Sequence, residues 1–295
     1  MKRREVRWER MFPDELEAAF DACPMVYLPY GLCEPHGPQN ALGMDALRAH
    51  GVVCLAAQTF GGIVAPPEYW HCHEMGIYGA WAHKRVGAAR PWLTAVPPWI
   101  FLKNLCYHIR AVDALGFHGA ILFSGHSGPH RKDVPILLEI LQPHISTRLY
   151  TLMSVGTSQP RFNDDKGMGG HAGRGETSVL WALAPDCVDL SRLPAPDEPG
   201  PHFAMGEYAR ESDRRAGERM VADIVAHLVV KAKDLLEEYA GLKPRHKPLT
   251  FEGVEEIWER EIRPRLKNFA SMQDGSDTPP EDSRWYDNWH VPDRG

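Results

Sequence analysis

MVYLPYGLCEPHGPQNALGMD occupies residues 25–45. Its first part, MVYLPYG, is a short apolar run carrying Val26, Tyr27 and Tyr30 and closing at Pro29 and Gly31. That pattern predicts a buried strand over 25–31. Turn-formers follow, yet among them stand Glu34, His36 and, nine residues past the His, Asp45. A surface loop explains the glycines and prolines. It does not explain three good metal ligands directly after a buried strand. By spacing alone the stretch stays open between ordinary loop polarity and a site, and the rest of the chain decides.

Working outward, residues 12–22 predict a short helix, with Asp14 and Glu15 near its start suiting the helix dipole. Residues 44–58 have helical spacing through Leu47, Val52 and Leu55, weakened mildly by Gly51. FGGIVAPPEYW, residues 60–70, predicts a strand and then a turn, and residues 71–98 read as irregular. Residues 97–117 predict an amphipathic helix, with two prolines at its start and Gly116 at its end. GAILFSGHSG then gives a second buried strand, AILF, running into a glycine-flanked His126, which on its own residues reads equally as a site residue or as a plain capped His. A helix over 134–145, a third strand in RLYTLMSVG, a helix from about Thr177 and a long helix over 210–240 complete the pattern. Strands alternating with helices predict an α/β fold, its parallel or mixed sheet covered on both faces. In such sheets sites gather at the carboxyl ends of strands. Glu34, His36 and His126 all fall there, and His171 and Glu176 sit in the loop leading to a helix.

The composition, 43% hydrophobic and 24% charged, is that of a globular protein with a sizeable core. A net charge of −6 gives no attraction to nucleic acid. No apolar run approaches the roughly 20 residues that span a bilayer, and no apolar core follows the basic N-terminus. The expectation is a cytoplasmic protein. None of the six cysteines forms a CxxC pair, which points to reduced thiols. Residues 241–295 read as a C-terminal unit: a helix over 250–267, then a polar, Pro-rich tail. The tail carries Trp285, Tyr286 and Trp289, more aromatics than solvated tails usually hold. Packing on the domain or on a neighbouring subunit is the expectation.

Carboxylate and imidazole ligands together suit zinc, manganese or another borderline divalent ion. A fixed turn can aim Glu34 and His36 at different ions, and Asp45 could bridge them with its two oxygens. Two cations roughly 3.5 to 4 Å apart activate water at neutral pH and polarise a carbonyl. His171, in the glycine-rich HAGRGETS, could act as general acid or base. Glu176 could be a ligand or a helix N-terminal charge. Other patterns fail or stay open. GHSG around Ser127 misses the GxSxG elbow because Pro129 takes the place of its last glycine. No HExxH is present, since Ile77 stands where the second His would. Cys33 reads as structural rather than nucleophilic. His71 and His73 would share one side of an extended segment, at a pocket mouth or merely as polar loop residues.

The three segments together, in this order, resemble the creatininase family of creatinine amidohydrolases and relatives. The family's Gly-x-x-Glu-x-His-Gly-Pro, with an Asp nine residues past the His, is matched by Gly31, Glu34, His36, Gly37, Pro38 and Asp45. FSGHSG matches its strand-ending Gly-His turn through His126. HAGRGETS matches its His-Ala-Gly-x-x-Glu-Thr-Ser through His171, Glu176, Thr177 and Ser178. The resemblance covers roughly residues 20–235.

It implies a three-layer α/β/α sandwich with a mostly parallel central sheet, a binuclear zinc or manganese centre and, in several members, a hexamer. By residue match Glu34, His36, Asp45 and His126 become metal ligands, with Asp45 bridging, and His171 the proton-shuttling residue. In creatininase proper a Glu two residues after the second His supplies a further ligand; here that position is Gly128, and Glu176 is the candidate replacement. The usual HGPHLP is HGPQNA, with Gln39 and Asn40; Pro129 stands where Asn is usual, Gly170 where an acid is frequent, and Gly167 and Met168 where creatininase has a Trp. The metal centre is therefore expected to persist around a different pocket. The expected function is metal-dependent hydrolysis of a small polar amide or cyclic C–N substrate other than creatinine, with residues 1–240 as the hydrolase domain. Hydrolysis of a keto-sugar or keto-inositol compound at the same centre, and a non-catalytic metabolite-binding protein, are the alternatives.

Overall fold

The computed structural model describes residues 4–73, 82–87, 90–153, 170–243, 247–273 and 281–282. Four parallel strands form one sheet: β1 (Met25–Tyr30), β2 (Ile63–Val64), β3 (Gly119–Ser124) and β4 (Arg148–Met153), in the spatial order β2-β1-β3-β4. β1 and β3 are buried along their whole length, as strands covered on both faces must be. Alternation divides their side chains between two cores. Val26, Leu28, Tyr30, Ala120 and Leu122 face one layer, and Met25, Tyr27, Ile121 and Phe123 face the other.

The first face is covered by α3 (Pro98–Ala114) and α4 (His130–Leu141), with α1 (Pro13–Ala22) at its margin. The second is covered by α2 (Met44–Phe60) and α6 (Arg214–Ala240), with α5 (Arg174–Leu183) packed on α6. The result is the α/β/α sandwich. Among the described residues no helix is long and apolar enough to cross a membrane.

The topology places a crevice where it is needed. From β1 the chain passes through α2 to β2 on one side; from β3 it passes through α4 to β4 on the other. The carboxyl ends of β1 and β3 therefore flank a switch point, the usual position for a ligand in an open α/β sheet.

Some element bounds differ from the sequence expectation. β2 is only two residues long. α4 begins at His130, one turn before the expected 134, because its first turn is held from outside: Asp133 accepts hydrogen bonds from Ala270 and Ser271 N–H, both at 2.7 Å. α5 begins at Arg174 rather than Thr177. The expected helix over 250–267 is α7 (Phe251–Ile257), followed by a wider turn over 258–262 and a tighter one over 263–268. Pro264, with no N–H to donate, ends the regular ladder there. Residues 251–272 pack into the first core through Val254, Ile257, Trp258, Ile262 and Met272. Trp285, Tyr286, Trp289, Gly167 and Met168 lie outside the described residues.

Candidate metal centre

The crevice is built by close backbone approach. A Cβ on Gly31 would lie 2.3 Å from the Ala46 nitrogen, and one on Gly125 2.0 Å from the Asp45 carbonyl oxygen. Two glycines, at the ends of β1 and β3, thus let the first turn of α2 wedge between the strands and carry Asp45 to the switch point. The Glu34 N–H donates to the Leu42 carbonyl at 2.9 Å, closing the loop that presents Glu34 and His36. Asn40 Nδ2 donates to the His36 carbonyl and to Thr177 Oγ1, both at 2.9 Å, and Gln39 Nε2 donates to the Ala172 carbonyl at 3.3 Å. Gln39 and Asn40 therefore tie the Glu34–His36 loop to the HAG turn. On β3, the His126 N–H donates to Ser124 Oγ at 3.0 Å, which fixes the turn after the strand.

Six side chains expected at the site come together. His36 Nε2 lies 3.3 Å from Asp45 Oδ1 and 3.7 Å from Glu176 Oε2. His126 Nδ1 lies 3.1 Å from both Asp45 Oδ2 and Glu34 Oε2. His171 Nδ1 lies 3.1 Å from Glu34 Oε1, and its ring stacks on His36 at 4.3 Å. Glu34–Asp45–His126 and His36–Asp45–Glu176 each offer ligand atoms within 4.8 Å of one another, and so does Glu34–His36–His171. Asp45 belongs to two of these groups, with one oxygen turned to each. Glu176 Oε2 also accepts the Ala172 N–H at 2.7 Å, so it serves its own helix start as well.

One cation of the protein already sits in the cluster. Arg48, fully buried one turn after Asp45, places Nη2 3.0 Å from Asp45 Oδ1, 3.0 Å from Glu176 Oε1 and 2.6 Å from the Gly125 carbonyl. Burial disfavours every charge here, but the neighbours override it. Burial would lower His36, yet the facing Asp45, with Glu34 and Glu176 behind it, raises it to about 9. Burial would likewise lower His126, and Glu34 and Asp45 raise it well above the ordinary value. Against the same desolvation, His126 and His171 bring Glu34 down to about 2, and His36 and His126 hold Asp45 well below the usual carboxylate range. The metal-free cluster thus balances three carboxylates with Arg48 and two imidazolium rings. A divalent cation can take the place of two protons at constant charge. The donor set, oxygen and imidazole shared through one carboxylate, fits zinc or manganese. His171, at the rim, has its pKa lowered by the protein packed around its ring and by the positive His36.

The Creatininase family, described as creatinine amidohydrolase, matches residues 9–231. The chain belongs to the creatininase family. Solved creatininase structures share its fold at low identity. A mutant creatininase complexed with creatine is 22% identical, with TM-score 0.59, covering 78% of this chain and 98% of that one. Creatininase with manganese is 22% identical, with TM-score 0.58, over 80% of this chain and 99% of that one. A zinc–zinc form of a mutant creatininase is 21% identical, with TM-score 0.58, over 80% and 98%. A search of curated protein sequences finds no match. This chain is a divergent creatininase-family member, and its departures have local causes. Gly170 has φ +98°, a backbone region that an acidic side chain would adopt only with strain. At Gly128 the room a side chain would need is filled: an added Cβ would lie 2.8 Å from His130 Cε1.

Sequence reasoning missed Arg48 and His130. Arg48 was visible as a charge on the buried stripe of α2, which runs through Asp45, Ala49, Val52 and Ala56. His130 was visible as a second His four places after His126. His71 and His73, left open between pocket and loop, are buried at 0% and 2% exposure beside His126. Cys33 is half-buried, its N–H donating to Thr94 Oγ1, and all six cysteines are free thiols.

Proposed function

We propose that the protein is a divalent-metal-dependent hydrolase of a small polar amide or cyclic C–N substrate, with zinc or manganese held as a pair by Glu34, His36, Asp45, His126 and Glu176. The observation that carries this is the Asp45 carboxylate, one oxygen toward His126 and the other toward His36. Bound there, divalent ions supply Lewis-acid activation of water and polarisation of the scissile carbonyl.

The chain's own residues do the rest. Neutral His171 carries one ring proton, enough for one of its two acceptors, Glu34 Oε1 at 3.1 Å or the Pro35 carbonyl at 2.8 Å. The protonated ring satisfies both. His171 therefore takes up a proton as water attacks and delivers it to the departing nitrogen. Arg48 steers Asp45 and Glu176 and lies on Asp45 Oδ1, the oxygen that faces His36. The seat on the His36 side is the weaker of the two. The HGPQNA sequence and the glycine at 170 support a pocket unlike that of creatininase.

In this reading residues 1–240 carry the chemistry and, of the C-terminal unit 241–295, residues 251–272 brace them. The six free thiols suit a reducing, cytoplasmic setting, and the working form is a homo-oligomer. Asp45→Ala should abolish turnover in a panel of cyclic and linear amides and strip the ions the carboxylates hold. Turnover retained by that variant, or turnover of ketocyclitols with none of any amide, refutes the proposal.

A further inference from the structure

Behind the carboxylate cluster, on the far side of the His126 ring, three imidazoles meet. His71 and His130 are completely buried, and His126 is 4% exposed. The ring centroids of His71 and His130 are 4.4 Å apart, those of His126 and His130 5.0 Å, and those of His71 and His126 5.3 Å. The Nε2 atoms of all three are buried and have no hydrogen-bond partner among the described residues. Buried polar side-chain atoms nearly always have one, so three such nitrogens on adjoining rings ask for a common partner.

The remaining contacts indicate which partner. His71 Nδ1 lies 3.1 Å from the Cys72 carbonyl and His126 Nδ1 3.1 Å from Asp45 Oδ2. An imidazole whose Nδ1–H donates to a carbonyl or carboxylate binds a metal through Nε2, the arrangement typical of metal-binding histidines, and at His126 the ion takes the place of the second ring proton. Phe101 stacks on His71 at 3.8 Å and holds that ring in place. Each of the three residues offers one ligand nitrogen within 4.8 Å of the other two. A tetrahedral zinc shell needs nitrogens about 3.3 Å apart, which modest ring rotation supplies. Gly128 brings no side chain into the space between His126 and His130.

We propose that His71, His126 and His130 form an all-imidazole seat for a zinc-class divalent ion, distinct from the carboxylate centre and sharing only the His126 ring with it. Three neutral nitrogen donors select zinc, cobalt or copper over magnesium and calcium and leave a fourth position open.

Cobalt titration of the metal-free full chain tests this. Asp45→Ala, which removes the carboxylate shared by the two oxygen-rich groups, should still bind one cobalt ion per chain, with the intense visible absorption of a tetrahedral nitrogen shell. Adding His130→Phe to that variant should abolish the signal at unchanged far-UV circular dichroism. A folded Asp45→Ala protein that takes up no cobalt, or one whose cobalt signal survives His130→Phe, overturns the proposal. Should the double variant fail to fold, X-ray absorption on the zinc-loaded wild-type chain decides. A zinc shell with three imidazoles supports the seat, and shells with no more than two imidazoles per ion, which leave waters to bridge the rings, refute it. Loss of amidase activity in Asp45→Ala reports on the carboxylate centre alone, so the two readings fail separately.

Discussion

At the scale of single residues, the centre is a set of charges that exist inside the protein only because they face one another. This gives the metal-free protein a defined pH window. His36 is raised to about 9 from an ordinary value near 6.5. Its contribution to stability is therefore complete below about 6.5 and lost as pH rises through about 9. Glu34 is depressed to about 2, so its contribution is complete above about 4.3 and lost as pH falls through about 2. Metal-free protein should melt highest between about pH 4.3 and 6.5, and zinc should bind more tightly as pH rises toward 9, because the ligand must shed its proton. A melting temperature of metal-free protein that climbs steadily to pH 9 contradicts this. Arg48→Met tests the guanidinium. Removing one partner of a buried ion pair costs about 3–5 kcal/mol, so the metal-free variant should be that much less stable. Its affinity for the second cation should rise, since Nη2 no longer occupies Asp45 Oδ1, the oxygen that faces His36. Calorimetric zinc titration showing wild-type affinity would count against that role. Glu34, His36, Asp45, His126, His171 and Glu176 could be singled out only together: each spacing alone left ordinary loop polarity open, and the three segments in family order drew attention to them. Arg48 and His130 were not legible, because each gains its meaning from what lies opposite it: a carboxylate on α5, and a histidine from a segment read as loop.

At the scale of elements, what matters is how closely the switch point is packed. Gly125→Ala would drive a Cβ to within 2.0 Å of the Asp45 carbonyl, a backbone atom with nowhere to go. Overpacking of this kind costs about 1–3 kcal/mol or more, and here the strain falls on the first turn of α2. The variant should lose both melting temperature and metal occupancy. Leu122→Ala is the contrast. It empties the core between β3 and its helices, a loss of about 2–5 kcal/mol, yet it should leave metal content per folded chain unchanged. Equal metal content in the two variants would sever the link drawn between Gly125 and Asp45. The buried runs of β1 and β3 and the amphipathic α3 were readable from local pattern. The early start of α4 was not, since Pro135 mimics a first-turn proline, while the contact that extends the helix comes from Asp133 reaching residues 270 and 271, far along the chain.

At the scale of the whole molecule, metal binding and folding are one equilibrium. An ion that binds only the folded chain stabilises it by about 2.7 kcal/mol at a hundredfold excess over its dissociation constant, so zinc or manganese should raise the melting temperature and a chelator should lower it. Residues 251–272 share the core of the first face, which ties the C-terminal segment to the layer behind His126. Removing residues 274–295 should alter the oligomeric mass or the activity; light scattering and turnover identical to the full chain would exclude a role for that tail. The α/β class and a sheet covered on both faces were legible in the alternation of strand and helix patterns, and the three-layer form in the family resemblance, while the strand order and the switch point required the structure.

The most direct measurement is elemental mass spectrometry of metal per chain, on wild type and Asp45→Ala purified without chelator or nickel. A carboxylate-centred pair of ions predicts that the variant holds about two fewer divalent ions per chain than the wild type. Equal metal content in the two proteins, or none in the wild type after zinc and manganese are supplied, would contradict the central claim that Asp45 joins two metal seats.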